Sequence, residues 1–222
     1  MDAVLFDLDG TLCDYRVSGQ VVLRGAFETA GVAPCFTIRD YYGVYERYAG
    51  TAETVDAQRA VCFAALAEAA GATAADGRAV AAAYDAARDH RDVVFLDGAA
   101  KALESLGADH HLGLVTNGAP GMQGQKLDAL GIRDAFGAVV HGGHDAPAKP
   151  SPAPFHRALE ALGVPPGRAV HVGNSLEADV AGAAAAGVRS VWLRDGSEVG
   201  GADAAPDHVV DSLAELVDRP WA

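Results

Sequence analysis

Two aspartates stand two residues apart in the stretch FDLDGTL, as Asp7 and Asp9, followed by Gly10 and Thr11. The apolar run before them reads as a buried strand that ends where a ligand could sit. Two carboxylates at the C-terminal tip of such a strand suit two jobs. One can attack phosphorus and carry it as an aspartyl-phosphate. The other can protonate the leaving oxygen and later activate water. An Asp-Gly turn is also a common way to end a strand, so the pair needs partners elsewhere in the chain.

Three further stretches offer them. In LVTNG, Thr116 closes an apolar run and Asn117-Gly118 lead towards a helix. A hydroxyl and main-chain N–H groups at a helix start form either a phosphate cradle or an ordinary cap. In AKPSPAPF, Lys149 sits between an inferred strand and an inferred helix, with Pro150 and Pro152 stiffening its exit. Such a lysine can hold phosphate oxygens and balance two aspartates, or stand solvated at the surface. Only Lys101, Lys126 and Lys149 are lysines among the seventeen Lys and Arg residues, which draws notice to it. In HVGNSLEADVAGA, Asn174 follows a strand and Asp179 comes five residues later. A Mg²⁺ site takes oxygen ligands, commonly one or two carboxylates plus substrate phosphate. Asp7, the Asp9 carbonyl, Asn174 and Asp179 are the candidate set.

The elements that must position these residues alternate. After the first strand, strand-like runs fall at Leu112–Gly118, Ala135–Gly143, Arg168–Asn174 and Arg189–Gly196. Helical patterns separate them: GAAKALESLG, GMQGQKLDALG, SPAPFHRALEALG and EADVAGAAAAG, each closing on a glycine. Such alternation predicts βαβ units, hence a Rossmann-like parallel sheet in a three-layer α/β/α core. Residues 15–94 break the rhythm with helical patterns alone and no clear strand. The expected organisation is a core of residues 1–14 and 95–222 with an inserted α-helical cap domain at 15–94.

In order, spacing and strand context, the four motifs resemble those of the haloacid dehalogenase-like (HAD) superfamily, and the helical insert resembles its C1-type cap. The stretch LGLVTNGAPGMQGQKLDALGI is similar to the branch of pyrimidine 5′-nucleotidases and N-acylneuraminate-9-phosphatase. The resemblance implies that Asp7 is the nucleophile and a metal ligand, and that Asp9 is the general acid and base with its carbonyl on Mg²⁺. It implies that Thr116 and Lys149 bind the phosphoryl group, with Asn117 helping through the turn. Asn174 and Asp179 fall at the acidic metal-site positions. Two departures stand out. The family usually has Asp where this chain has Asn174, and the loop before the lysine reads GGHDAPAK where Ser-Glu-x-x-Gly is usual.

Branches of that superfamily separate on residues. Dehalogenation needs no proton for its leaving halide, and Asp9 is present, so it is disfavoured. Phosphonate hydrolysis needs a cap lysine for a Schiff base, and residues 1–100 contain none. A phosphomutase would use Asp9 too but needs cap groups that orient a sugar bisphosphate. Hydrolysis of a small phosphorylated metabolite needs the fewest parts. A non-catalytic phospholigand-binding module is the other reading, because Asn174 removes one negative charge from the metal site. Weaker Mg²⁺ affinity is expected from that change, not loss of the site.

Composition narrows the partners. A formal net charge of −13 repels a nucleic acid polymer. No apolar run is long enough for a membrane span, and MDAVLFDLDG does not read as a signal peptide. Three cysteines without metal or redox spacing (Cys13, Cys35 and Cys62) fit a reducing cytoplasm. The Ala, Arg and acid excess fits a GC-rich genome and, less directly, a salt-tolerant source. In RDYYGVYERY, Tyr41, Tyr45 and Tyr48 fall on one helical face and are expected to pack the insert's own core; stacking on a base or sugar is the alternative. Arg16 and Arg24 are lesser anion candidates. Cys13 is expected to be a packed, inert thiol.

Overall fold

The computed structural model describes residues 1–48, 52, 54–194 and 205–221. The chain divides into two compact units, Met1–Tyr15 with His90–Ala222, and Arg16–Asp89.

Among the described residues the first unit is built on six parallel strands: β1 (Ala3–Phe6), β4 (His111–Thr116), β5 (Ala138–His141), β6 (Ala169–Gly173), β7 (Arg189–Leu193) and β8 (His208–Val210). Their order is β5-β4-β1-β6-β7-β8. Phe6 of β1 is in register with Leu114 on one side and Val172 on the other. The chain therefore leaves the central strand in both directions, and the C-terminal ends of β1, β4 and β6 flank the crevice where such sheets bind ligands.

Every residue of β1 is buried, as a strand covered on both faces requires. Val4 and Phe6 pack with Ala102, Leu103 and Leu106 of α5 (Ala99–Gly107) and Leu127 of α6 (Pro120–Leu130). Ala3 and Leu5 point the other way, onto Phe155, Ala158 and Leu159 of α7 (Ala153–Leu162). That period of two makes three layers from one strand. It also anchors the turn that follows β1, since truncating a core ring such as Phe6 costs about 3–5 kcal/mol.

Among the described residues the second unit forms four α-helices: α1 (Gly19–Ala30), α2 (Ile38–Tyr45), α3 (Val55–Ala69) and α4 (Ala74–Ala87). Helix α4 starts on a capping box, in which Thr73 and Asp76 satisfy each other's main-chain donors. The unit's core is aromatic, with Phe27, Phe36, Tyr41, Phe63 and Tyr84 in edge contacts. Tyr41 is buried and meets Tyr45 edge-on at 5.5 Å, while Tyr45 and Tyr48 pack partly buried against the same core. The expected single tyrosine face is interrupted, because α2 gives way to a 3₁₀ turn at Glu46–Tyr48.

Several features differ from the pattern read in the sequence. Cys13–Tyr15 (β2) and Val93–Phe95 (β3) pair as an antiparallel ribbon, so a strand begins inside 15–94. Three-residue strands are too short to show a period. The EADVAGAAAAG segment is a π-helical turn at Leu176–Ala181 followed by the short helix α8 (Gly182–Ala185), not one α-helix. Strand β7 ends at Leu193; Asp195 and Gly196 of the expected strand lie outside the described residues, as do Ala49, Gly50 and Glu53 of the expected helical insert at 15–94. No described helix is long and apolar enough to cross a membrane.

Candidate active site

Asp7 is the first residue after β1, held by its N–H donating to the Val172 carbonyl at 2.9 Å. The chain then turns sharply. Gly10 has φ +73°, a conformation open to glycine, and a Cβ there would meet the Asn174 side chain at 2.5 Å. The turn is closed by the N–H groups of Leu12 and Cys13, both donating to the Leu8 carbonyl. Asp7 and Asp9 thus face the same cavity of about 200 Å³, also lined by Thr116, Asn117, Lys149, Asn174 and Asp179. All seven residues singled out in the sequence are brought together there. The volume suits a phosphoryl group and its counter-ion better than a whole metabolite.

Lys149 is the hub. Its ammonium donates to Asp7 Oδ1 at 2.8 Å, to Asp179 Oδ1 at 2.6 Å and to the Val115 carbonyl at 2.8 Å. Burial alone would pull its pKa down, but Asp179 and Asp7 outweigh that and raise it, so the lysine is charged. Asn117 fixes the lysine's backbone at two points: its amide donates to the Lys149 carbonyl at 2.9 Å and its oxygen accepts the Lys149 N–H at 2.8 Å. The unusual loop before the lysine is pinned by Asp145, which accepts from the His141 N–H at 2.8 Å.

Asp179 comes off the π-helical turn. Its Oδ1 also meets His171 Nε2 at 2.9 Å, and its Oδ2 accepts the Ser175 N–H at 3.0 Å. Gly173 leaves room for it, since a Cβ there would lie 2.2 Å from Asp179 Cγ. Burial raises the Asp179 pKa, yet Lys149 and His171 prevail and hold it well below the usual carboxylate range. Burial keeps His171 neutral, lowering its pKa. Facing a carboxylate, its Nε2 then carries the proton. For Asp7, burial prevails over Lys149, and the neighbouring Asp179 adds to it, so its carboxyl is pushed up to about 7.

That balance tests the site for a metal. With Asp7 ionised, Asp7 and Asp179 bring two negative charges, Lys149 returns one, and His171 is neutral, so ionising Asp7 leaves one buried negative charge for a cation to compensate. The Thr11 hydroxyl lies 3.4 Å from both Asp7 Oδ2 and Asn174 Oδ1, so these two oxygens converge. The donors are all hard oxygens, as Mg²⁺ requires. Trp192 steadies the neutral member by donating its indole N–H to the Asn174 carbonyl at 2.9 Å. Among the described residues no three His, Cys, Asp or Glu side chains form a metal cluster. Two carboxylates and one amide oxygen line the cavity as donors that fit such an ion.

Thr116 has a defined polarity. Its hydroxyl oxygen accepts from the Gly118 N–H at 3.2 Å and from Gln123 Nε2 at 2.7 Å. Both lone pairs are occupied, so its proton remains to donate to an anion.

Three residues at the site were not singled out in the sequence. Besides His171, Gln123 Nε2 donates to Asp9 Oδ2 at 2.8 Å, and Lys126 forms a short ion pair with Asp9 Oδ1. Lys126 is 1% exposed on its side chain, with its ammonium 4.7 Å from the Tyr15 ring centre. Gln123 and Lys126 are three residues apart on one face of α6, and lysine is scarce in this chain, which together were the available signal.

The chain resembles known proteins over this same frame. A family model described as haloacid dehalogenase-like hydrolase matches residues 1–187. A phosphoserine phosphatase of Thermus thermophilus is 41% identical over 105 residues, 47% of this chain and 42% of that protein. The N-acylneuraminate-9-phosphatase of Mus musculus is 33% identical over 126 residues, 56% of this chain and 51% of that protein. The chain spans about half the length of the curated relatives it matches. Among solved structures, the HAD hydrolase YfnB of Bacillus subtilis superposes with a TM-score of 0.77 at 24% identity, over 98% of this chain and 97% of that one. With the match covering most of its length, this chain belongs to the haloacid dehalogenase-like hydrolase family.

Proposed function

We propose that the protein is a Mg²⁺-dependent phosphatase of small phosphate monoesters that works through a phosphorylated Asp7. The observation that carries this reading is the pairing of Asp7 with Asp9 at the end of β1. Asp7 lies against Lys149, and Asp9 stands on the same cavity beside a Thr116 hydroxyl with a free proton. The curated relatives are named as phosphatases of unlike substrates, which supports the reaction type and leaves the metabolite open. The Arg16–Asp89 unit is the proposed cap, the part expected to choose among substrates. The three free cysteines support a reducing compartment, and we place the protein in the cytoplasm.

In this mechanism the Thr116 hydroxyl donates to a phosphoryl oxygen, the buried Lys149 ammonium draws the phosphoryl group by its charge, and Asn117 keeps Lys149 in place. Asp7 attacks phosphorus while the bond to the ester oxygen breaks, and Asp9 gives that oxygen its proton, releasing an alcohol. Asp9, now a carboxylate, takes a proton from a water. The resulting hydroxide attacks phosphorus, the bond to Asp7 breaks, and inorganic phosphate leaves with Asp7 restored. His171 and the Ser175 N–H keep Asp179 anionic and oriented throughout. Mg²⁺, held by Asp7, Asp179, the Asn174 side chain and the Asp9 carbonyl, would supply positive charge to the transferring group.

Hydrolysis of p-nitrophenyl phosphate with and without Mg²⁺, beside Asp7→Asn, tests the reading. Turnover is expected in the parent with Mg²⁺ and not in Asp7→Asn. Equal rates in the two proteins sink it. A second reading, a non-catalytic phospholigand module, draws on Asn174, which removes one negative charge from the metal-site positions. It is distinguished by a phosphate-induced rise in melting temperature with no turnover at millimolar Mg²⁺.

A further inference from the structure

We propose that Gln123 and Lys126 are positioning residues for the acid step, aiming the Asp9 carboxyl at the leaving oxygen of the ester. The inference rests on the phosphatase reading and extends it to two residues of α6.

Asp9 sits on a turn with its side chain 44% exposed, and an unsupported carboxyl there would rotate freely. Instead each of its oxygens is held by a different side chain, Oδ1 by Lys126 and Oδ2 by Gln123. Gln123 spends both amide protons in this way, one on Asp9 and one on Thr116. One rigid amide therefore sets the acid and the phosphate-binding hydroxyl relative to each other. Proton transfer demands that alignment, because the acid must lie within hydrogen-bond reach of the ester oxygen while phosphate is seated.

Stability alone does not account for the arrangement. Gln123 is fully buried, and its Oε1 has no hydrogen-bond partner among the described residues. Such an orphan is destabilising, and native structures keep one mainly where it serves a function. Lys126 is buried against a carboxylate that is itself half open to solvent, and a buried ion pair is weak evidence of stabilisation. Its charge has a use in the reaction, since Asp9 becomes an anion as its proton leaves, directly beside the ammonium.

The test is leaving-group dependence, using aryl phosphates from p-nitrophenyl to p-methoxyphenyl phosphate. The nitrophenolate leaves without help, whereas the methoxyphenolate needs a proton. Gln123→Leu and Lys126→Met are expected to lower kcat/KM roughly fivefold at the nitro end and roughly 100-fold at the methoxy end. In an Asp9→Asn background Lys126→Met should add nothing, and Gln123→Leu should keep only the uniform part of its loss, through Thr116. A uniform loss across the series, no loss, or full additivity with Asp9→Asn overturns the assignment. Absence of turnover by the parent protein counts against the phosphatase reading itself. If Lys126→Met does not fold, Lys126→Gln keeps a donor without the charge and is expected to steepen the series in the same direction.

Discussion

Lys149 Nζ lies 2.6 Å from Asp179 Oδ1, with both side chains 2% exposed. The same ammonium holds Asp7, so one positive charge serves two buried carboxylates. Lys149→Met strips both of their partner, and breaking a buried pair on one side costs about 3–5 kcal/mol. Denaturant unfolding is expected to show a loss of that order at pH 8 and a smaller one at pH 5, where the orphaned carboxyls can take up protons. An equal loss at both values would show that the lysine contributes by packing.

Asp7 gives a pH dependence of opposite sense to an ordinary ion pair. Its folded pKa, about 7, lies above its ordinary value of 3.8. The folded state therefore binds the proton more tightly, and the stability it contributes is full below about pH 4 and lost as pH rises through 7. Asp7→Asn is expected to stabilise the metal-free protein by about 2 kcal/mol or more at pH 8 and to do little at pH 4, measured by urea melts in chelator. A destabilised Asp7→Asn at pH 8 would refute the charge balance argued for the site.

The first turn of the active site was legible in the sequence because its signals are local. An apolar run, two acids and a glycine need no tertiary knowledge to mark Asp7, Asp9 and Gly10 as candidates, and the stretches around Thr116, Lys149 and Asp179 supplied the partners that the pair alone lacked. The parallel core was legible for the same reason, from alternation of periods. Gln123 and Lys126 were not, because their meaning depends on α6 crossing the end of β1, more than a hundred residues away in the chain. His171 reads as one more residue of a buried strand until Asp179 is brought to its ring. The ribbon of Cys13–Tyr15 with Val93–Phe95 is too short to carry a pattern.

Asn174 predicts a weak but restorable metal site. Asn174→Asp is expected to tighten Mg²⁺ binding roughly tenfold, much of the gain from an added charge being offset by water and ligand rearrangement. The shift in melting temperature with Mg²⁺ reads this without any turnover. In chelator the same variant should be less stable than the parent at pH 8, since it adds a third carboxylate to one lysine. An unchanged or weaker Mg²⁺ response would remove Asn174 from the ligand set.

Cys13 lies just past the Asp7–Gly10 turn but is fully buried, and burial followed by the Asp9 charge pushes its thiol up to about 12. The thiolate is the reactive form, so little is available at neutral pH. Native protein treated with iodoacetamide at pH 8 is expected to be alkylated at the partly exposed Cys35 and spared at Cys13 and Cys62. Rapid labelling of Cys13, located by peptide mass spectrometry, would mean that the turn opens on its own.

Gly173 tests how tightly the second acid is held. It ends β6, and a methyl group there would fall 2.2 Å from Asp179 Cγ and 2.4 Å from its Oδ2. Neither contact is tolerable, and the carboxyl cannot retreat without leaving Lys149, His171 and the Ser175 N–H. Gly173→Ala is therefore expected to cost about 1–3 kcal/mol in stability by overpacking, and to lower phosphatase turnover roughly tenfold or more as Asp179 is displaced. Gly25→Ala is the control: it lies within α1, its added methyl meets nothing within 4 Å, and helix propensity favours alanine by about 1 kcal/mol. Thermal melts and turnover of the two variants should move in opposite directions in stability, with activity lost only in Gly173→Ala. Full activity in Gly173→Ala would show that the placement of Asp179 tolerates displacement and that its role at the site is slight.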